Sequence, residues 1–220
     1  MEIYVGTSGW SYPWNPKRSL KWYVEQGFNA VELNYSFYRF PSSKQVETWS
    51  KYSLRWSVKV NKIITHVKRL TDVEAWRNFR KIMEPLRPDF YLFQMPPSFK
   101  ASDENVRRVE QFAKEIQDRM VIEFRDPEWF SRDVGVNVVS LDSPIGIFLI
   151  KGKIIYLRMH GRGKVWYDYH YGKKEMEEDL EKLIEMKPQA IYVFFNNTNM
   201  LQDALTFREL LKKKVGDARK

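Results

Sequence analysis

Apolar positions along the chain follow two rhythms that take turns. In the short apolar runs, side chains two apart share a face, as in strands. Between them, apolar residues recur every three or four positions, as on one face of a helix. Ile3–Thr7 predicts a strand and Leu20–Gln26 a helix closed by Gly27. Ala30–Asn34 predicts the second strand, and Ser42 with Gln45 a capping box that opens a helix reaching Tyr52. Arg55–Val60 is the third strand. Thr71 with Glu74 reads as a second capping box, followed by Val73, Trp76, Phe79 and Met83 at helical spacing. Phe90–Gln94 is the fourth strand, stopped by Pro96 and Pro97; Ser102 then caps a helix with Val106, Val109, Phe112, Ala113 and Ile116 on one face. Met120–Arg125 is the fifth strand, with a helical turn around Pro127–Arg132, and Asn137–Leu141 is the sixth.

There the alternation falters. Ile145–Ile150, Lys151-Gly152 and Lys153–Met159 read as strand, tight turn and strand, with no helix after the sixth strand. Lys173–Met186 predicts a helix, Ala190–Phe195 the last strand, and Met200–Val215 a final helix ended by Gly216. Eight β runs, each mostly followed by a helix, predict an α/β fold of the (β/α)8 TIM-barrel type, short and lacking one helix. An open doubly wound sheet is the alternative, but GTSGW after the first strand is not the GxGxxG dinucleotide fingerprint. No linker or repeat divides the chain, so residues 1–220 are expected to form one domain.

Polar residues interrupt the apolar runs near their far ends. Glu32 with Asn34, Glu123 with Arg125, and Arg158 with His160 each share a strand face. A buried charge is costly unless paired, so repetition of this arrangement predicts one polar pocket. In a barrel that pocket lies at the carboxyl ends of the strands.

Composition narrows the chemistry. With 43% hydrophobic residues the chain can build a large core, and no apolar run is long enough to span a bilayer. The start, MEIYVGTSGW, has no secretory-signal pattern, so the expected location is the cytoplasm. Zero cysteines exclude disulfides, thiolate catalysis and cysteine-held metals. The net charge of +9 favours an anionic partner, either a small molecule or nucleic acid. Part of the excess is Lys212–Lys214 with Arg219 and Lys220, read as a solvated helix end.

The candidate proton-transfer groups are Glu32, Glu123 and His160. Glu32 and Glu123 suit the two carboxylates of a glycosidase-like hydrolase; the plainer reading is two salt bridges, one joining Glu123 to Arg158. Glu32, Glu123, Asp142 and His160 form a mixed set in principle able to hold a divalent cation, but no local histidine spacing supports this, and no metal or other cofactor is assigned. His160 can titrate near neutrality or serve as a structural hydrogen-bonding group. Lys59, Arg125, Arg158, Arg162 and Lys164 suit a phosphate or carboxylate, and Trp10, Trp129, Trp166 and Tyr167 suit a sugar or base ring. Ser8, Asn34, Asp142, Asn196 and Asn197 complete the candidate ligand-binding set. His170 lies in WYDYHYG, which reads as a loop folded onto the core or as a lid.

Eight blocks occur in order: GTSGWSYPWN, VELNYSFYRFP, WSVKVNKIITH, QMPPSF, IEFRDPEWF, SLDSP, YLRMHGR with a following WY, and YVFFNNT. This series resembles the YecE-like family (DUF72) over essentially the whole chain. The resemblance implies a TIM-type barrel and no settled activity. Its recurring polar blocks fall on Ser8, Trp10, Glu32, Asn34, Lys59, Glu123, Arg125, Trp129, Asp142, Arg158, His160, Tyr167, Asn196 and Asn197. FNNTNMLQDA lacks the glycine-bearing form common after the paired asparagines, which bears only on the local turn. Two functions follow as expectations: an enzyme acting on a phosphorylated or nucleotide-like ligand, or a nucleic-acid-binding protein without catalysis.

Overall fold

The structure, a computed structural model, describes residues 1–217. In chain order its elements are β1 (Glu2–Thr7), α1 (Leu20–Glu25), β2 (Ala30–Leu33), α2 (Tyr35–Tyr38), α3 (Ser43–Ser50), β3 (Arg55–Lys59), α4 (Val73–Met83), β4 (Phe90–Gln94), α5 (Asp103–Ala113), β5 (Met120–Glu123), β6 (Asn137–Val138), β7 (Ser140–Ser143), β8 (Gly146–Phe148), β9 (Ile154–Met159), α6 (Lys173–Glu185), β10 (Ala190–Phe195) and α7 (Met200–Asp217). One sheet runs β2-β3-β4-β5-β6, all parallel. The other runs β1-β10-β9-β7-β8, parallel except between β7 and β8.

Two seams join the sheets. Ser8 and Glu32 form a parallel bridge just beyond β1. On the far side, β6 runs through Val139 into β7, and the Val139 amide donates to the Ile122 carbonyl at 2.9 Å. The first seam requires Gly6, because a Cβ there would lie 2.2 Å from the Ala30 carbonyl oxygen. The Tyr23 hydroxyl from α1 secures the same place, donating to the Ala30 carbonyl and accepting from the Thr7 amide, each at 2.9 Å.

Strand parity sorts the side chains. Ala30, Phe90, Leu92, Val121, Tyr156, Tyr192 and Phe194 form one apolar cluster, with Tyr4 packed against it. Their strand neighbours Val31, Tyr91, Phe93, Ile122, Ile155, Leu157, Ile191, Val193 and Phe195 belong to a larger cluster with residues of the helices. The smaller cluster therefore fills the space enclosed by the two sheets, and the larger one lies between sheets and helices. Two residues beyond the inner apolar positions stand Glu32, Glu123, Arg158 and Asn196, so the enclosed space turns polar toward the strands' carboxyl ends.

Several sequence expectations need correction. The predicted hairpin of Ile145–Ile150 with Lys153–Met159 does not form. β8 instead folds back on β7 through Pro144 and Ile145, with Gly146 at φ +136°, and β9 pairs parallel with β7 and β10. The single strand expected over Asn137–Leu141 is split at Val139. The cap of α4 is Asp72, whose carboxylate accepts the Ala75 amide at 2.9 Å; the Thr71 hydroxyl donates back to the Lys68 carbonyl. The chain leaves β2 at Asn34 to enter the helical turn α2. α7 continues through Gly216 to Asp217; Arg219 and Lys220 lie outside the described residues. No helix among the described residues is long and apolar enough to cross a membrane.

Candidate functional site

The polar layer is built around Arg158, fully buried on β9. Its Nε and Nη2 donate side-on to Glu32 at 2.9 and 2.7 Å, and its Nη1 donates to Glu123. The two carboxylates thus flank one guanidinium from opposite strands, the geometry that suits a planar fork. Glu32 also accepts from the hydroxyls of Ser8 at 2.6 Å and Tyr156 at 2.8 Å. Tyr156 stands on the inner face two residues before Arg158, and its oxygen meets the Ser57 hydroxyl at 2.7 Å. Glu123 takes two further donors, Arg125 Nε and His160 Nε2, the latter at 3.2 Å. Burial alone would raise the Glu123 carboxyl, but Arg125, Arg158 and His160 together hold it well below the usual range. Burial works against the Arg158 cation, and Glu123 and Glu32 more than restore it.

His160 is fully enclosed. Burial pushes its imidazole down to about 3, opposed by Glu123 and assisted by Arg125 and Arg158. The neutral ring has one proton, and a carboxylate can only accept, so that proton sits on Nε2 facing Glu123. Nδ1 is then the acceptor for the Asn196 amide at 3.2 Å. Both ring nitrogens are engaged, and His160 braces the network rather than pointing at open space.

Two cations lie nearer the opening. The Arg125 guanidinium carbon is 4.0 Å from the Trp166 ring centre, and its Nη2 donates to the Tyr167 hydroxyl at 3.4 Å. The Lys59 ammonium lies 4.2 Å from the Phe37 ring centre and makes no hydrogen bond or ion pair among the described residues. Burial first, then Arg158 and Arg125, push its amine down to about 7 against the pull of Glu32 and Glu123. His66, in the turn after β3, packs edge-on to Phe37 at 5.1 Å and is lowered to about 4 by burial and by Lys59, Arg125, Arg69 and Lys62.

The remaining sequence candidates fall elsewhere. Asp142 has the opposite parity to Leu141 and faces α6, where Arg162 binds it through Nε at 2.9 Å and Nη2 at 2.7 Å. Arg162 also pairs with Glu175 and Asp179 of α6, forming a separate acid-rich cluster. Asn197, one residue beyond the inner Asn196, points toward α7 and donates to Asp203 at 2.6 Å. Trp129 is fully buried, stacked on Phe124 at 4.0 Å with its N–H on the Phe99 carbonyl, so it packs the core behind β5. Trp10 and Asn34 border a cleft of about 550 Å³ beside the β1–β2 seam, lined also by Tyr12, Tyr35, Tyr38 and Trp49. The segment carrying Trp166 and Tyr167 folds back onto the sheet end: the Asn197 amide holds the Tyr169 carbonyl at 2.8 Å, and the Tyr171 hydroxyl accepts the Gly161 amide at 2.8 Å. His170 pairs with Asp203 at 2.6 Å. Among the described residues no three His, Asp or Glu side chains are grouped to hold a metal ion, so Glu32, Glu123, Asp142 and His160 do not form one ligand set.

Sequence reasoning missed Tyr156, Ser57, Phe37 and His66. Tyr156 and Ser57 obey the same two-residue parity as Arg158 and Lys59 and were readable from it. Phe37 and His66 come from turns after strands, where no simple period applies.

Comparison with known proteins fits this picture. No curated protein matches the chain. A DUF72 family protein of Thermotoga maritima MSB8 superposes with TM-score 0.83 at 30% identity, covering 96% of this chain and 100% of its own. A DUF72 family protein of Enterococcus faecalis V583 gives TM-score 0.79 at 20% identity, covering 96% and 94%. A D-tagatose 3-epimerase-like protein, a TIM-barrel-like neighbour, gives TM-score 0.61 at 18% identity over 100% and 98%, a likeness of fold alone. The family model described as "Protein of unknown function DUF72" matches residues 4–220, and the chain belongs to that family.

Proposed function

We propose that the chain is an eight-stranded (β/α)8 barrel, counting β6 and β7 as one strand and leaving out the antiparallel β8, that binds an anionic, ring-bearing small molecule at its mouth and acts on it as an enzyme. A phosphorylated or nucleotide-like ligand fits the chemistry best. One observation carries this reading: the charges of the inner layer do not cancel. Glu32 and Glu123 are matched by Arg158 and Arg125, and His160 is neutral. Lys59 has no partner, so the mouth carries one surplus positive charge when its amine is protonated. Aromatic rings face both mouth cations: Phe37 lies against Lys59, and Trp166 and Tyr167 against Arg125. An anion would supply the missing counter-charge and a ring could stack against these faces.

In this reading Glu32, Glu123 and His160 are positioning residues that fix Arg158 and Arg125. The glycosidase-like alternative fits less well, because it needs a carboxyl held protonated and open to a sugar. Glu123 is instead held ionised and closed off. Inorganic phosphate and nucleoside monophosphates should raise the melting temperature saturably, and Arg125→Ala should abolish the shift. A missing shift for every anion rejects the proposal. Tight oligonucleotide binding with a steep salt dependence would instead favour the nucleic-acid reading.

A further inference from the structure

We infer that the Lys59 side chain is an amine nucleophile, placed to form an imine with the carbonyl group of an anionic aldehyde or ketone. The inference rests on the anion-binding reading of the same mouth and names its substrate class. Lys59 ends β3 on the inner face, two residues after Ser57. A buried lysine is ordinarily tied to a carboxylate or a carbonyl. Here Glu32 and Glu123 are both taken by guanidiniums, and among the described residues nothing accepts from the Lys59 nitrogen. Lys59 nevertheless keeps 6% of its surface exposed to solvent. Its neighbours Arg158 and Arg125 discourage a further positive charge, and Phe37 offers an apolar face. With its amine pushed down to about 7, a large fraction is unprotonated at neutral pH, as imine-forming lysines require.

The step balances without an outside oxidant or reductant. The nitrogen lone pair attacks the carbonyl carbon, and the carbonyl π electrons move to oxygen. Proton transfer from nitrogen to oxygen gives a carbinolamine. The C–O bond then breaks, C=N forms and one water leaves. Arg125 would hold the ligand's anionic group while the carbonyl reaches Lys59.

The test uses the intact protein with pyridoxal 5′-phosphate, an aldehyde carrying a phosphate, followed by borohydride reduction and peptide mass mapping. Lys59 should be labelled at pH 7 about a hundredfold faster than exposed Lys21, because an ordinary lysine is almost wholly protonated there. The rate should rise through pH 7, inorganic phosphate should protect, and Lys59→Arg should remove the label while keeping the charge. Labelling of Lys59 no faster than Lys21, with the phosphate-induced thermal shift intact, overturns the amine inference and leaves the anion site standing. Rapid Lys59 labelling by unphosphorylated pyridoxal that phosphate does not slow supports the amine and rejects the anion site.

Discussion

Two guanidiniums organise two acidic clusters, one inside the sheet wall and one outside it. Arg158 has a fully buried side chain and faces Glu32 and Glu123, with Arg125 adding a second cation. Arg162 is 21% exposed and faces Asp142, Glu175 and Asp179 alone. Inside, each carboxylate has a guanidinium, with Lys59 left over, and Glu123 stays ionised. Outside, acid exceeds base, and burial, with Asp142 assisting and Arg162 opposing, raises Asp179 to about 6. The outer cluster can relieve its excess acid by protonating Asp179, helped by the partial exposure of Arg162 and Glu175, whereas each inner carboxylate relies on a guanidinium.

The largest test is Arg158→Met. It leaves the buried Glu32 without a cation and Glu123 with Arg125 alone, and should cost about 3–5 kcal/mol by denaturant unfolding. Arg162→Met should cost less, because Asp179, already raised to about 6, can take a proton and Glu175 is partly exposed. Equal losses would break the comparison. Lys59→Met works in the opposite direction. It removes an unpaired buried amine while keeping the stem, and should stabilise the fold by about 1–3 kcal/mol at pH 7. The folded-state value, about 7, lies below the ordinary 10.5, so stability falls as pH drops from 10.5 toward 7 and is flat below; the variant should lose that slope.

The smallest effects are in pH profiles. Asp179 is raised from 3.8 to about 6, so its contribution is full below 3.8 and fades as pH rises through 6. Asp179→Asn should flatten that decline, read as a smaller stability difference between pH 4 and pH 7 than in the parent protein. His160 has the opposite sign: lowered from 6.5 to about 3, it contributes fully above 6.5 and loses its contribution as pH falls through 3. An acid-unfolding curve unchanged by His160→Gln would contradict the enclosed, neutral ring.

Strand parity made most of the inner cluster readable in advance. Ser8, Glu32, Lys59, Glu123, Arg125, Arg158, His160 and Asn196 all follow from counting in twos along apolar runs. The same counting, applied strictly, separates Asp142 from Leu141 and Asn197 from Asn196. Treating every polar residue near a strand end as one set blurred that line. The β7–β8 hairpin was illegible for a different reason: β9 finds its parallel partners far along the chain, and nothing local announces them. Trp129 shows the limit of residue type as a guide, since an indole suits a core stack as well as a ligand platform.

The pairing of β1 with β10, from Glu2 against Ala190 to Thr7 against Phe195, has a consequence for biosynthesis. On the ribosome the first strand must wait for nearly the whole chain before it finds its permanent neighbour. Glu32 and Glu123 emerge well before Arg158, and until then only Arg125 is at hand to pair with Glu123. Arrival of β9 supplies the cation, and β10 then closes the wall through β1. The charged layer can therefore be completed only once the strand that carries Arg158 has been made.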